Sequence, residues 1–230
     1  GRSVAEGRVH IVGIGDDGVE GMTAQARRVL EAADLLLGPE SCATLLPPAL
    51  AGRLETTANL EELCDRIEAA GPKKLVVLAS GDPLFYGTAR YVCGRLGKDR
   101  FEVVPHVSSM QLAFARVKES WEEAFLANLS GQSIERVVDK VRGSETVGLF
   151  TSEQWPPSAV ARTLLDEGID YFQAYVCENL GSPDERVTQG SLADIAAEAF
   201  GPLNVMILVR RARAADTPGH AGSRLFGNPD

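Results

Sequence analysis

The run Leu75-Val76-Val77-Leu78-Ala79, which empties into Ser80–Gly87 (SGDPLFYG), constrains this chain more than any other stretch. Five successive apolar residues bounded by turn signals fit a fully buried strand. The octapeptide that follows cannot continue it. Gly81 opens backbone geometries closed to other residues, Pro83 sets φ, and Gly87 releases the chain into the next helix. Such a loop leaves backbone N–H and C=O groups at the carboxyl edge of a sheet, where open α/β folds bind ligands. Taken alone, the motif is equally an ordinary strand-to-helix turn.

The surrounding sequence alternates in kind. Arg8–Gly15 (RVHIVGIG) reads as a strand breaking into a glycine turn, and Met22–Ala33 has helical spacing of Ala26, Val29, Leu30 and Ala33, with Thr23 as its N-cap. Asp34–Gly38 reads as a strand and Leu60–Ala70 as an amphipathic helix. Ala89–Leu96 is helical, Phe101–Val104 a strand, and Ser109–Val117 a helix after the loop Pro105–Ser109. Strand–helix alternation predicts βαβ crossovers and a mostly parallel sheet.

The character changes near Lys118. Ala124–Leu129, Thr146–Phe150, Gln173–Glu178, Arg186–Gly190 and Leu203–Arg210 read as strands, with helices at Ile134–Val141 and Pro157–Glu167, the latter stopped by Gly168. The Gly, Ser and Pro between Glu178 and Arg186 predict a hairpin. The expectation is an α/β chain of two lobes: residues 1–118 with a mostly parallel sheet, and residues 119–212 with a mixed one. Residues 213–230, rich in Ala, Gly and Pro and without periodicity, read as a flexible tail or linker.

Composition narrows the partners. With 230 residues, 44% hydrophobic and 24% charged, the chain has material for real cores. A formal net charge of −9 argues against a general nucleic-acid binder, which needs a basic footprint. No apolar run has the length of a membrane span, and the N-terminus lacks a signal-peptide pattern. Because the chain begins at Gly1, its first residues read as expression or processing remnants. Cys42, Cys64, Cys93 and Cys177 are scattered, as are His10, His106 and His220, so neither a disulfide frame nor a metal site is expected. The cysteine pattern suits a reducing, cytoplasmic setting.

Gly13-x-Gly15-x-x-Gly18 matches the dinucleotide fingerprint literally, which raises a nicotinamide-binding oxidoreductase as an alternative. That fingerprint seats a pyrophosphate on a helix N-terminus, yet Asp16 and Asp17 occupy the same turn and would repel it. Two carboxylates suit a cationic, hydroxyl-rich ligand such as S-adenosylmethionine, or else form a solvated acidic turn.

The combination is more specific than its parts. A V-G-I-G turn, then S-G-D-P-x-x-Y-G, then P-x-V-S-S, at these intervals, resembles the tetrapyrrole (corrin and porphyrin) methyltransferase family from about Val9 to Val209. Ser120-Trp121-Glu122-Glu123, Glu178–Leu192 and Leu203-Asn204-Val205 look most like its precorrin-6Y branch, which methylates carbon 5 of the corrin ring during cobalamin synthesis. The resemblance implies a two-lobed tetrapyrrole methylase fold with S-adenosylmethionine in the cleft between lobes, S-adenosylhomocysteine as product, a precorrin macrocycle as substrate, and a homodimer. A same-fold methyltransferase for another acceptor, or a non-catalytic binding module, stays open beside it.

Carried onto this sequence, the resemblance implies cofactor contacts at Ile14, Gly15, Asp16, Gly81, Asp82, Phe85, Ser108 and Ser109. From the second lobe it implies Thr151, Asn179 to Gly181, Leu203 and Asn204. Asp82 and Tyr86 are candidate orienting groups, with Asp82 alternatively a cap for its own loop; no catalytic base is assigned. Substrate carboxylates favour arginines, with Arg90 and Arg116 the candidates and Arg27 and Arg28 further possibilities. Trp121 reads as core packing or as a contact to the flat macrocycle.

Two positions depart from the family pattern. His106 stands where P-G-V-S-S has glycine, and reads as an exposed loop residue in preference to a substrate contact. Asn128–Gln132 (NLSGQ) replaces S-L-H-G-R, so any substrate contact by that histidine and arginine is absent or replaced. Finally, Leu225–Asp230 resembles the junction that leads, in fused relatives, to a carbon-15 methyltransferase/decarboxylase domain. This suggests half of a bifunctional protein, or else the end of a stand-alone enzyme.

Overall fold

The computed structural model describes residues 8–212. The readings of residues 213–230 as a tail, and of Leu225–Asp230 as a junction, lie outside the described residues. So do the N-terminal remnants. Within the described chain the first half forms strands β1 (Val9–Ile14), β2 (Leu35–Gly38), β3 (Leu54–Thr56), β4 (Leu75–Ser80) and β5 (Phe101–Val104). Between them lie helices α1 (Ala24–Glu31), α2 (Pro48–Ala51), α3 (Leu60–Ala69) and α4 (Thr88–Leu96), and α5 (Ser109–Val117) follows. The strands make one parallel sheet in the order β3-β2-β4-β1-β5, with β4 at its centre.

Strand β4 is buried from Leu75 to Ala79, and its side chains alternate between two cores as a pleat requires. Val76 and Leu78 join Val12, Ile14, Leu36 and the α1 residues Ala26 and Leu30 on one face. Val77 and Ala79 join Ile11, Leu37, the α3 residues Leu63 and Ile67, and the α4 residues Ala89 and Val92 on the other. A strand covered on both faces has no position for a polar side chain, which is why this run is apolar throughout.

Local signals set the helix starts. Thr23 accepts the Ala26 N–H at 3.1 Å, the cap its sequence predicts. At α3 the cap is Asn59, which accepts the Glu62 N–H at 2.8 Å while Glu62 accepts the Ala58 N–H. Strand β3 and helix α2 escape sequence reading because three and four residues carry no measurable period.

The second half forms β6 (Phe125–Asn128), α6 (Val138–Arg142), β7 (Thr146–Phe150), α7 (Pro157–Asp166), β8 (Phe172–Glu178), β9 (Arg186–Ser191), α8 (Leu192–Ala196) and β10 (Asn204–Arg210). Their sheet runs β6-β7-β10-β8-β9 and is mixed: β6 and β7 are parallel, whereas β10 runs antiparallel to β7 and β8. Its core joins Val147, Leu149, Val176, Met206 and Leu208 to Val160 and Leu164 of α7 and Ile195 of α8. Gly168, at φ 77°, ends the α7 segment. The helix expected over Ile134–Val141 breaks at Val137 (φ −115°, ψ 2°) into a 3₁₀ turn and α6. Helix α8 was not foreseen; Ser191 and Asp194 start it with a reciprocal capping box.

The chain divides into two compact units, and the division is not a single cut. Among the described residues, the first comprises 8–116 together with Asn179–Arg186; the second comprises 117–178 and 187–212. The connection between β8 and β9 therefore groups with the first unit, an excursion that a boundary at Lys118 does not contain.

Candidate functional site

In the first unit, β1, β4 and β5 are adjacent and parallel, so the loops after them leave the sheet at one edge. Gly81, at φ 69°, donates its N–H to the Ile14 carbonyl at 2.8 Å, locking the second loop to the first. A Cβ on Gly13 would overlap the Gly81 carbonyl oxygen and stand 2.6 Å from Cβ of His106 and 3.0 Å from Cδ of Pro83. One on Gly15 would stand 3.0 Å from Nε2 of His106. Gly81 in turn approaches Cα of Ser108. The glycine turn, SGDP and PHVSS are thus one packed constellation, and His106 is a half-buried lid on the glycine turn rather than an exposed loop residue.

The same contacts dispose of the dinucleotide fingerprint. Gly13 is filled by protein atoms, and a Cβ on Gly18 (φ 64°) would stand 2.6 Å from the Leu45 carbonyl oxygen. A 3₁₀ turn, Gly18–Gly21, separates the fingerprint from α1. Moreover β1 lies between β4 and β5, and β2 pairs with β4, unlike the 3-2-1-4 order of the dinucleotide fold. The glycines serve packing within the chain.

The polar groups are partly committed. Asp82 accepts the Leu84 N–H at 2.9 Å, an Asx-type turn that caps its own loop. Tyr86 follows at φ 54°, a left-handed geometry uncommon for a tyrosine, with its ring edge-on to Phe85 at 4.8 Å. Partial desolvation raises the Tyr86 hydroxyl above its ordinary pKa. Ser108, buried, accepts the Gln111 N–H at 3.1 Å and gives its own N–H to Gln111 Oε1 at 2.8 Å. Its backbone donor and one of its two hydroxyl lone pairs are therefore spent on starting α5. Ser109, half-buried, is the next residue, and Asp16 is exposed.

The excursion Asn179–Arg186 meets this edge. Asn179 (φ 52°) and Gly181 (φ 86°) both take left-handed geometry. A Cβ on Gly181 would stand 3.9 Å from Cβ of Asp16 and 4.0 Å from Cδ1 of Leu112. Glu185 accepts the Gly181 N–H at 3.0 Å and binds Arg116 side-on, with Nε to Oε2 at 2.8 Å and Nη2 to Oε1 at 3.1 Å. The guanidinium first, and the Gly181 amide second, hold the Glu185 carboxyl below its usual pKa. Arg90 is exposed on the first turn of α4.

In the second unit, Thr151 follows β7 and Asn204 opens β10, and antiparallel pairing makes them neighbours. Thr151 Oγ1 donates to Asn204 Oδ1 at 2.5 Å, and Asn204 Nδ2 donates to the Gly201 carbonyl at 2.7 Å. Buried Glu178 accepts the Gly201 N–H at 2.8 Å. Leu203 is 69% exposed beside them. Trp121 is 47% exposed and in none of the core clusters, so the reading of core packing fails. Trp155 instead packs against the second unit's core. Gln111, Leu112, Gly201 and Glu185 were not singled out from sequence. A Q three residues after a serine is a capping-box signal, but nothing local announces Glu185.

The family profile described as Tetrapyrrole (Corrin/Porphyrin) Methylases matches residues 8–196. The precorrin-6Y C(5,15)-methyltransferase (decarboxylating) of Sinorhizobium sp is 30% identical over 196 residues, 85% of this chain and 48% of the relative, so the chain spans about half that protein's length. A probable cobalt-precorrin-7 C(5)-methyltransferase of Methanocaldococcus jannaschii is 30% identical over 207 residues, 86% of this chain and 96% of the relative. The solved uroporphyrin-III C-methyl transferase of Thermus thermophilus, complexed with S-adenyl homocysteine, is 25% identical with a TM-score of 0.65, covering 88% of this chain and 97% of its own.

Proposed function

The chain belongs to the tetrapyrrole (corrin/porphyrin) methylases, and we propose that within them it transfers a methyl group from S-adenosylmethionine to carbon 5 of a corrin precursor of precorrin-6Y or precorrin-7 type. The observation that carries this reading is the packing of three loops, after β1, β4 and β5, into one constellation. The match to a named C(5)-methyltransferase over nearly that relative's whole length supports the choice of acceptor.

The donor set suits such a cofactor. Ile14–Gly21, Ser80–Gly87 and Pro105–Ser109 contain Asp16, Asp17, Glu20 and Asp82 but no lysine or arginine. They offer negative charge to a sulfonium and an ammonium, and nothing to neutralise a pyrophosphate. S-adenosylmethionine supplies, when bound, a methyl group on a positively charged sulfur. The residues that would hold it are Ile14, Gly15, Asp16, Gly81, Asp82, Phe85, Ser108 and Ser109 from the first unit's loops, with Asn179 and Gly181 from the excursion. Thr151, Leu203 and Asn204 belong to the same reading in the second unit. Their work is to fix orientation and exclude water, since the leaving group needs no protein acid. For the acceptor, Arg90 offers charge to carboxylates and Trp121 an exposed aromatic face.

A homodimer, a cytoplasmic setting and a fused or associated carbon-15 methyltransferase/decarboxylase complete the proposal. The last rests on the name of the Sinorhizobium relative. No helix among the described residues is long and apolar enough to cross a membrane.

Calorimetry with S-adenosylhomocysteine tests the cofactor, and methyl transfer to precorrin-6Y and precorrin-7, with and without cobalt, tests the acceptor. The expected product carries one new methyl, at carbon 5. Absence of binding, or a methyl at another carbon, would overturn the proposal.

A further inference from the structure

We propose that Arg116 and Glu185 are a positioning pair that seats Gly181 against Asp16, and that Arg116 is not a ligand of substrate carboxylates. This rests on the cofactor reading above.

The geometry is built from two sides. Helix α5 presents Leu112 and Arg116 four residues apart, hence on one face. Leu112 lies under Gly181, and Arg116 reaches Glu185 one turn further on. The excursion folds on itself as two consecutive turns, with Ser182 N–H to the Asn179 carbonyl at 3.0 Å and Glu185 N–H to the Ser182 carbonyl at 3.1 Å. The carboxylate of Glu185 thereby returns to its own loop and takes the Gly181 N–H. A single Oε1 accepts from both Gly181 and Arg116, so the guanidinium sets where the carboxylate stands, and the carboxylate sets where Gly181 stands.

Two consequences follow from the charges. Side-on pairing with both carboxylate oxygens uses Nε–H and one Nη2–H of Arg116 and neutralises its charge, so a second carboxylate at its remaining N–H groups would meet a paired cation and a nearby anion. An ion pair this exposed adds little to global stability, so its value lies in the position of the loop. Gly181 is the residue whose backbone needs that help: at φ 86° it has no side chain to anchor it, and its N–H would otherwise turn to solvent.

The test uses the full chain and six forms: wild type, Arg116→Ala, Arg116→Lys, Glu185→Ala, Glu185→Gln and the double variant Arg116→Ala/Glu185→Ala. Affinity for S-adenosylhomocysteine is measured by calorimetry, thermal midpoint by scanning, and KM for cofactor and corrin separately. Both alanine variants are expected to bind S-adenosylhomocysteine about tenfold more weakly at nearly unchanged thermal midpoint. Their double variant should be no weaker than either alone, because each breaks the same link. Glu185→Gln, which keeps an acceptor for Gly181, should retain more affinity than Glu185→Ala, and corrin KM should stay at the wild-type value in all forms. Unchanged cofactor affinity in both alanine variants overturns the pair. A raised corrin KM with intact cofactor affinity in Arg116→Ala and Arg116→Lys overturns it too, by making Arg116 a substrate ligand. Wild type that fails to bind S-adenosylhomocysteine removes the cofactor reading itself, a result distinct from either.

Discussion

Gly13 and Gly81 meet where β1 and β4 end. Gly81 donates its N–H to the Ile14 carbonyl at 2.8 Å, and its own carbonyl oxygen fills the space that a Cβ on Gly13 would take. Two adjacent parallel strands are thereby closed at their carboxyl ends by backbone alone, and the loops that follow start from a common point.

The contact predicts a ranking of glycine substitutions. Gly13→Ala forces a methyl into backbone and should cost about 1–3 kcal/mol, as overpacking does. Gly15→Ala meets only Asp17 Oδ1 and the His106 ring, both at 3.0 Å and both on side chains that can shift, and should cost less. Urea unfolding of the two variants checks this; equal costs would show that the Gly13 site is looser than its neighbours require.

At the start of α5, Ser108→Ala removes the acceptor for the Gln111 N–H and should lower stability by about 1 kcal/mol. Ser109→Ala, one position into the helix, loses no cap and should be near neutral. Thermal unfolding of the pair separates a capping serine from a neighbour of the same chemistry.

The Arg116–Glu185 link predicts a pH dependence with a definite sign. Glu185 is held below its ordinary value of 4.5, chiefly by the guanidinium, so folding favours its ionised form. Its contribution is complete above the unfolded-state value and is lost as pH falls through the lower folded-state value. The pair is partly exposed, which limits the effect to under about 1 kcal/mol. Wild type should therefore exceed Glu185→Gln in urea midpoint at neutral pH, with the gap closing in acid. A gap that persists in acid would assign the stabilisation to something other than charge.

Much of this was legible in the residues. The doubly buried β4 was readable because a strand covered on both faces must be apolar at every position, and the Thr23 cap because its chemistry is local. That Ser80–Gly87 leaves the sheet as a loop was readable because Gly81 and Pro83 interrupt the apolar run at once. Short elements such as β3 and α2 were not, since three or four residues hold no period.

The sequence by itself therefore determined the strand–helix alternation from which a parallel first sheet follows, and the charge character of the first unit's loops, because both are written in residues close along the chain. Only the tertiary structure decided that the glycines of G-x-G-x-x-G face protein atoms, that His106 covers the turn, and that residues 179–186 group with the first unit. It also decided that Glu185 takes Arg116 across 69 positions of sequence. Those are pairings between distant segments, and no local propensity records which distant partner a side chain will meet.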